Sequence, residues 1–296
     1  MVGRGWSARA VVAMSAVSLL LAGCAPSFAA ETGGTSTATS STTASAGASP
    51  IISAVPSSSP TPSATPSPAA TRTGPWSVVA LGDSVPAGAG CGCTPFPQLS
   101  AALLAAPGSG EVPTADDAVN GATSTDVLDA VTTDREVQSD VAAADIVEIE
   151  IGANDVAYSA ACGTTVSCYE PTVPVVEQNV RAIVAEVRTL TAARTALVVL
   201  LDYWNVWLGG TYAAAQGQAY VDASTALTGQ VDAAIRQVAA ETGAVYVDVR
   251  AAFKGPAYTN DETRYLAPDG DHPNARGHAT IAQAVVSAVR STLQDP

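Results

Sequence analysis

Ser77–Gly90 reads Ser-Val-Val-Ala-Leu-Gly-Asp-Ser-Val-Pro-Ala-Gly-Ala-Gly. A short apolar run of strand composition, Val78-Val79-Ala80-Leu81, stops at Gly82-Asp83-Ser84, and small residues punctuated by Gly and Pro follow. A strand that runs into a tight turn leaves a serine hydroxyl exposed at its carboxyl end, where open α/β sheets carry their sites. Position 86 is Pro, so this is not the Gly-x-Ser-x-Gly elbow of another hydrolase fold. Alone, Gly-Asp-Ser is also the composition of an ordinary turn. The other strand ends must decide what it does.

Upstream of this stretch the 296-residue chain does not look like a folded domain. Arg4 and Arg9 precede an apolar run from Ala10 to Leu21, which is shorter than the ~20 residues a membrane-spanning helix needs. A basic start and a short apolar core predict an export signal over residues 1–24. The run ends Leu21-Ala22-Gly23-Cys24, which resembles a bacterial lipobox and predicts lipidation at Cys24. The rival reading is a soluble secreted protein cut near Ala29-Ala30. Residues 25–74 are almost only Ser, Thr, Ala, Pro and Gly, too poor in large apolar groups to offset the entropy of ordering. They are expected to form a disordered tether, spanning roughly 40 Å as a flexible coil. Its Ser and Thr residues are compatible with O-glycosylation.

The expected domain is therefore 75–296, long enough for one well-buried core. Arg4, Arg9 and Arg72 lie outside it, as does Glu31, which leaves it ten bases against twenty-six acids, with Lys254 its sole lysine. Such a surface disfavours nucleic acid and anionic lipid headgroups as partners. Besides Cys24 there are four cysteines, Cys91, Cys93, Cys162 and Cys168. An even number in an exported domain favours disulfides over metal, and zinc would need more ligands than His272 and His278 supply. One residue between Cys91 and Cys93 leaves little room for relaxed disulfide geometry, which favours cross-pairing between the two clusters. Local pairing is the rival.

Along the domain, strand and helix patterns alternate. Strands are expected at Val78–Leu81, Ala118–Asn120, Asp145–Ile151, Ala196–Leu201 and Ala244–Val249. Helices are expected over Pro97–Ala106, Thr125–Thr132, Val173–Thr191, Ala213–Thr242 and Ala275–Leu293, the fourth with breaks possible at Gly217 and Gly229. Strands separated by helices predict an α/β fold, a three-layer α/β/α sandwich around a five-stranded parallel sheet. One strand resists this pattern. Glu148 and Glu150 share a face of Ile146–Ile151, where a strand covered on both sides should be apolar. Either an arginine reaches them or that face opens to solvent.

The remaining strand ends carry Asn120-Gly121-Ala122-Thr123, Gly152-Ala153-Asn154-Asp155 and Asp269-Gly270-Asp271-His272-Pro273. With Gly82-Asp83-Ser84 these four blocks, in this order, resemble those of the SGNH (GDSL) hydrolase family from Val78 to about Ala279. The resemblance implies a flavodoxin-like sheet and a serine esterase without a cofactor. It places Ser84 as nucleophile and Ser84, Gly121 and Asn154 as donors to the oxyanion. The chemistry of the residues agrees. An ester needs a nucleophile, a base for its proton and donors for the developing oxyanion. His272 takes and returns a proton near neutral pH, and Asp269, three residues earlier, can fix its tautomer.

Each block has a plainer reading. Asn154-Asp155 would suit a helix-capping turn. Asp269-Gly270-Asp271 hints at a calcium loop, but the later acidic ligands are missing. Asp83 is expected to brace its turn, and His278 to be structural.

The expected substrate is a small-molecule or glycan-borne ester, acted on by a monomer held to the membrane through Cys24. Tyr158, Tyr169 and the run Tyr203-Trp204-Asn205-Val206-Trp207 are expected to shape the pocket. Two alternatives stand beside a general esterase or lipase: an O-acetyl esterase for envelope glycans, and a non-catalytic surface module with the same fold.

Overall fold

The computed structural model describes residues 76–105 and 112–294, with no account of the Gln294 side chain. The export signal, Cys24 and the tether 25–74 lie outside the described residues. Among those residues no helix is long and apolar enough to cross a membrane.

Five parallel strands form one sheet in the order β2-β1-β3-β4-β5. They are β1 (Val78–Gly82), β2 (Thr114–Asp116), β3 (Ile146–Glu150), β4 (Leu197–Leu201) and β5 (Val245–Val247). This is the flavodoxin-like strand order, and the expected three-layer sandwich is present. Alternation along each strand divides the core. Val79, Leu81, Val147, Ile149, Val198 and Leu200 face one layer, built from α2 (Ser124–Thr133), α3 (Arg135–Ala143), α4 (Val173–Leu190) and α6 (Gln218–Thr242). Val78, Ile146, Val199, Leu201 and Val247 face the other, built from α1 (Phe96–Leu104), α7 (Val249–Lys254) and α8 (Ala275–Gln294).

Four elements differ from the sequence expectation. The second strand lies at Thr114–Asp116, not Ala118–Asn120. The later segment still follows β1, because Asp117 N–H donates to Ala80 O at 3.0 Å and Val119 N–H to Gly82 O at 3.0 Å. Helix α3 was not expected; Asp134 ends α2 and at once caps α3 by accepting from Glu136 N–H at 2.8 Å. The long helix is split into α5 (Gly210–Ala215) and α6, with Gly217 between them, whereas Gly229 sits inside α6 without breaking it. The fifth strand is only three residues long because Asp248 caps α7, accepting from Ala251 N–H at 2.6 Å.

The disulfide expectation is also corrected. Cys91 pairs with Cys93 and Cys162 with Cys168, at Cα separations of 5.1 and 5.7 Å that suit disulfides. Cross-pairing fails because the clusters serve opposite layers. Cys162 packs on the α2–α4–α6 side, whereas Cys91 and Cys93 lie beside His278 of α8.

Neither account of the acidic strand survives. Glu148 and Glu150 are fully buried and, among the described residues, no arginine reaches them. Both project toward the α1–α8 layer, where Ser100 Oγ donates to Glu148 Oε1 at 2.6 Å. Among the described residues, neither oxygen of Glu150 has a hydrogen-bond partner. Burial is the physical reason these acids are tolerated, because it favours the uncharged form. It raises the Glu148 carboxyl to about 8, against the Ser100 hydrogen bond that lowers it, and raises Glu150 well above its ordinary range.

A folded-state pKa raised above the unfolded one stabilises fully below the ordinary carboxylate range and is lost as pH rises through the folded value. Thermal unfolding of the wild type should therefore show stability falling between about pH 5 and about pH 8. Glu148→Gln should make that fall shallower, by about 1.4 kcal/mol per pH unit for the proton removed. An unchanged pH dependence in the variant would show that Glu148 is not held neutral.

Candidate active site

The site is built where the strands end. Gly82 closes β1 opposite Glu150, and Asp83 N–H donates to the Glu150 carbonyl at 3.2 Å. A side chain on Gly82 would run into that carbonyl, and its φ of 146° suits glycine alone. The chain can therefore turn immediately and present Ser84, which is only partly buried.

Asp83 fixes the turn from beneath. One carboxylate oxygen accepts from Val85 N–H at 3.1 Å and the other from the Tyr203 hydroxyl at 2.6 Å. Its bracing role is thus as expected. Burial raises this carboxyl to about 6, although the Tyr203 and Val85 hydrogen bonds pull it down.

The Asp269-Gly270-Asp271-His272 turn enters from the loop before α8. His272 Nδ1 lies 2.9 Å from Asp269 Oδ2, and both Asp271 N–H and His272 N–H donate to Asp269 Oδ1 at 3.0 Å. Burial alone would raise the Asp269 carboxyl, but the His272 backbone and ring outweigh it and hold it below its ordinary value. A charged acceptor on Nδ1 leaves Nε2 as the nitrogen that faces chemistry.

Ser84, Asn154 and His272 line one cavity of about 300 Å³. Asn154 starts a short 3-10 turn after β3, and its Nδ2 donates to Ala122 O at 3.0 Å. That bond ties it to the loop holding Gly121. Gly121 itself lies on an adjoining hollow with Gly82 and Asn120, so the structure places it beside the main cavity and not among its lining residues. Asp155 does cap, as its plainer reading expected, but across space. It accepts from Ser124 N–H at 2.8 Å and from Ser124 Oγ at 2.6 Å at the start of α2.

Aromatic residues close the far wall. The Trp207 indole packs edge-on against Tyr158 and Tyr169 at 5.2 and 5.1 Å between centroids, and its Nε1 donates to Val156 O at 2.7 Å. Tyr158 and Trp207 line the cavity. Tyr169 sits behind, where its hydroxyl donates to Gly163 O and accepts from Ser159 N–H, both at 3.0 Å. Trp204 lines the cavity while stacking on Phe253 at 4.8 Å.

His278 is structural. Phe96 N–H donates to its Nδ1 at 3.2 Å, linking α1 to α8, and burial lowers the imidazole to about 4. Cys91, Cys93 and His278 bring ligand atoms within 4.8 Å, but the sulfurs are bonded to each other and Nδ1 is occupied, so they do not fit a metal.

Tyr220, Gln216, Asp271 and Gly90 also belong to the site, and sequence reasoning missed them. The first two reach it from the α5–α6 region. Gly90 lies against the His–Asp pair. A Cβ there would lie 2.5 Å from Asp269 Oδ2 and 2.9 Å from His272 Cβ, and its φ is 68°. The Ala-Gly-Ala-Gly run before Cys91 was the available signal. Gly90→Ala should fold but displace the imidazole, lowering ester turnover on the order of a hundredfold. Ester assays alongside thermal melting would check this, and wild-type turnover in a folded variant would refute the close approach.

The sequence matches the model of the GDSL-like lipase/acylhydrolase family over residues 80–280. No curated protein matches it significantly. Among solved structures it resembles a lipase from a goat rumen metagenome at 20% identity, covering 72% of this chain and 97% of that one, with a TM-score of 0.55. An acetylxylan esterase from Geobacillus stearothermophilus is similar at 22% identity over 73% and 94% of the two chains, TM-score 0.52. A GDSL-like lipase from Parabacteroides merdae is similar at 18% identity over 73% and 96%, TM-score 0.53. At such identities these structures speak for the fold alone, whereas the sequence match covers most of the domain. The chain belongs to the GDSL-like lipase/acylhydrolase family of carboxylic ester hydrolases.

Proposed function

We propose that the protein is an extracytoplasmic serine esterase that works through an acyl-enzyme at Ser84. The observation that carries this reading is the convergence of Ser84, His272 and Asn154 on one cavity, with His272 Nδ1 already held by Asp269. His272 Nε2 removes the Ser84 proton as Oγ attacks the ester carbonyl. The Ser84 and Gly121 backbone N–H groups and the Asn154 amide stabilise the oxyanion. The imidazolium then returns its proton to the leaving alcohol, and water repeats the sequence to free the acid.

The substrate is a short-chain ester. A cavity near 300 Å³ lies at the small end for ligand sites, and Trp207, Tyr158 and Tyr220 close its wall. Placement outside the cell rests on the basic, apolar leader and Cys24, with residues 25–74 as the tether and the domain acting as a monomer. A second reading, O-acetyl esterase action on envelope glycans, is favoured by Tyr158. Its ring is 48% exposed at the cavity, where it could stack on a sugar. One structure of similar fold is an acetylxylan esterase.

A series of p-nitrophenyl esters from acetate to palmitate should peak at acetate or butyrate. Ser84→Ala and His272→Ala should each abolish turnover, by at least about 10⁴-fold, in a folded protein. Asp269→Asn should cost less than either. Intact mass after a fluorophosphonate should show one adduct that Ser84→Ala lacks. A peak at palmitate would overturn the short-chain reading, and turnover by Ser84→Ala would overturn the mechanism.

A further inference from the structure

Asp271 stands beside the catalytic imidazole and the reaction scheme gives it no task. It lines the cavity with Ser84 and His272 and is exposed. Among the described residues its carboxylate has no hydrogen bond or ion pair; only its backbone N–H is engaged, donating to Asp269 Oδ1 at 3.0 Å. The other carboxylates close by are committed. Asp83 is taken by Tyr203 and Val85, and Asp269 by His272. Among the described residues no lysine or arginine lines the cavity.

The position of Asp271 identifies what it faces. His272 must deliver its proton to the leaving alkoxide, so the alcohol part of the ester lies against the imidazole. The oxyanion lies on the Asn154 side. A carboxylate next to His272 in the chain and in the cavity therefore meets the alcohol. Tyr220 lines the same space; burial raises its phenol and the Asp271 charge adds to that, so the two are within electrostatic reach. Tyr220, Tyr158 and Trp207 pack on one another and line the same cavity as Asp271. The backbone that carries it is held in place. Its turn is fastened by the Asp269 hydrogen bonds and by Gly209 N–H donating to Gly270 O at 2.8 Å.

We propose that Asp271 is a specificity-determining carboxylate, which accepts hydrogen bonds from hydroxyl or ammonium groups on the ester's alcohol and rejects alcohols that carry negative charge. An unpaired carboxylate facing an aromatic wall suits polyols and cations alike, since both bring O–H or N–H donors, or positive charge, to the same oxygens. An anionic alcohol would meet like charge, with no lysine or arginine among the described lining residues to neutralise it. This inference rests on the serine esterase reading, and deepens it by naming the alcohol's chemistry.

The test compares four acetate esters on the wild type, Asp271→Asn and Asp129→Asn. Asp129 is an exposed acid on α2, outside the cavity, and serves as a control for overall charge. The esters are acetylcholine, its uncharged isostere 3,3-dimethylbutyl acetate, glycerol monoacetate and 3-acetoxypropanesulfonate. Wild-type kcat/KM should be higher for acetylcholine or glycerol monoacetate than for the isostere, and lowest for the sulfonate. Asp271→Asn should shrink the preferred ratio and raise sulfonate turnover, each on the order of tenfold. Asp129→Asn should change neither. Which ratio shrinks tells whether ammonium or hydroxyl is the natural donor, and either supports the proposal.

The proposal is overturned if the ratios in Asp271→Asn match the wild type. It is also overturned if all four esters fall together with a shifted pH profile, which would mean that Asp271 acts through His272. Matching ratios with turnover still dependent on Ser84 would remove only the role of Asp271. Turnover that survives Ser84→Ala would remove the esterase reading beneath it.

Discussion

The hydrogen bond from the Tyr203 hydroxyl to the buried carboxylate of Asp83, at 2.6 Å, is the contact on which the site depends. It joins the residue after β1 to the loop after β4, across the intervening strand β3. The same carboxylate holds Val85 N–H, so the turn carrying Ser84 is gripped at its base and free only at its hydroxyl. A serine on an unbraced loop would spend part of its time away from the attacking position, and reaction rates fall steeply with small displacements. Asp83 therefore braces the turn that presents Ser84.

His272 is held by a second, independent device. Asp269 accepts two backbone N–H groups and the ring of His272, so the turn makes its own orienting acid. What aligns this turn with Ser84 is Gly90, whose missing side chain lets the loop after the nucleophile lie directly on the His–Asp pair. The Cys91–Cys93 disulfide follows it immediately and constrains the same loop. Ser84 and His272 are thus registered through backbone contact near the site, in addition to the sheet beneath.

Burial of acids recurs along this sheet edge. Asp83, Glu148, Glu150 and Asp202 are all withdrawn from water, and burial raises each of them. Asp83 and Asp202 add to the rise at Glu150, because like charges in a poorly solvating region oppose ionisation together. In the α1–α8 layer, which a parallel sheet would normally fill with apolar groups, Glu148 and Glu150 are held uncharged by burial. The acidic composition thus extends into the interior, at the expense of alkaline stability.

The alternation of strands and helices, and the four short blocks at strand ends, were legible in the sequence because each is a local signal. A period of two or of about four residues, or a Gly beside a polar residue, needs only its neighbours to be read. The residues of the His–Asp pair, three apart on one turn, were legible for the same reason. Local rules failed where a residue's environment comes from distant chain. The short β2 is defined by its pairing with β1, and Glu148 and Glu150 read as anomalies until α1 and α8 were seen to bury them. The cysteines were mispaired because nothing local shows that the two clusters lie on opposite layers. Tyr220, Gln216, Asp271 and Gly90 carry no motif of their own; they join the site only because crossovers bring separate loops to one sheet edge. The sequence by itself determined the alternation of strands and helices and the polar blocks at the strand ends. The tertiary structure alone decided which acids stay neutral and which side chains face the substrate, because solvation and proximity belong to the packed chain.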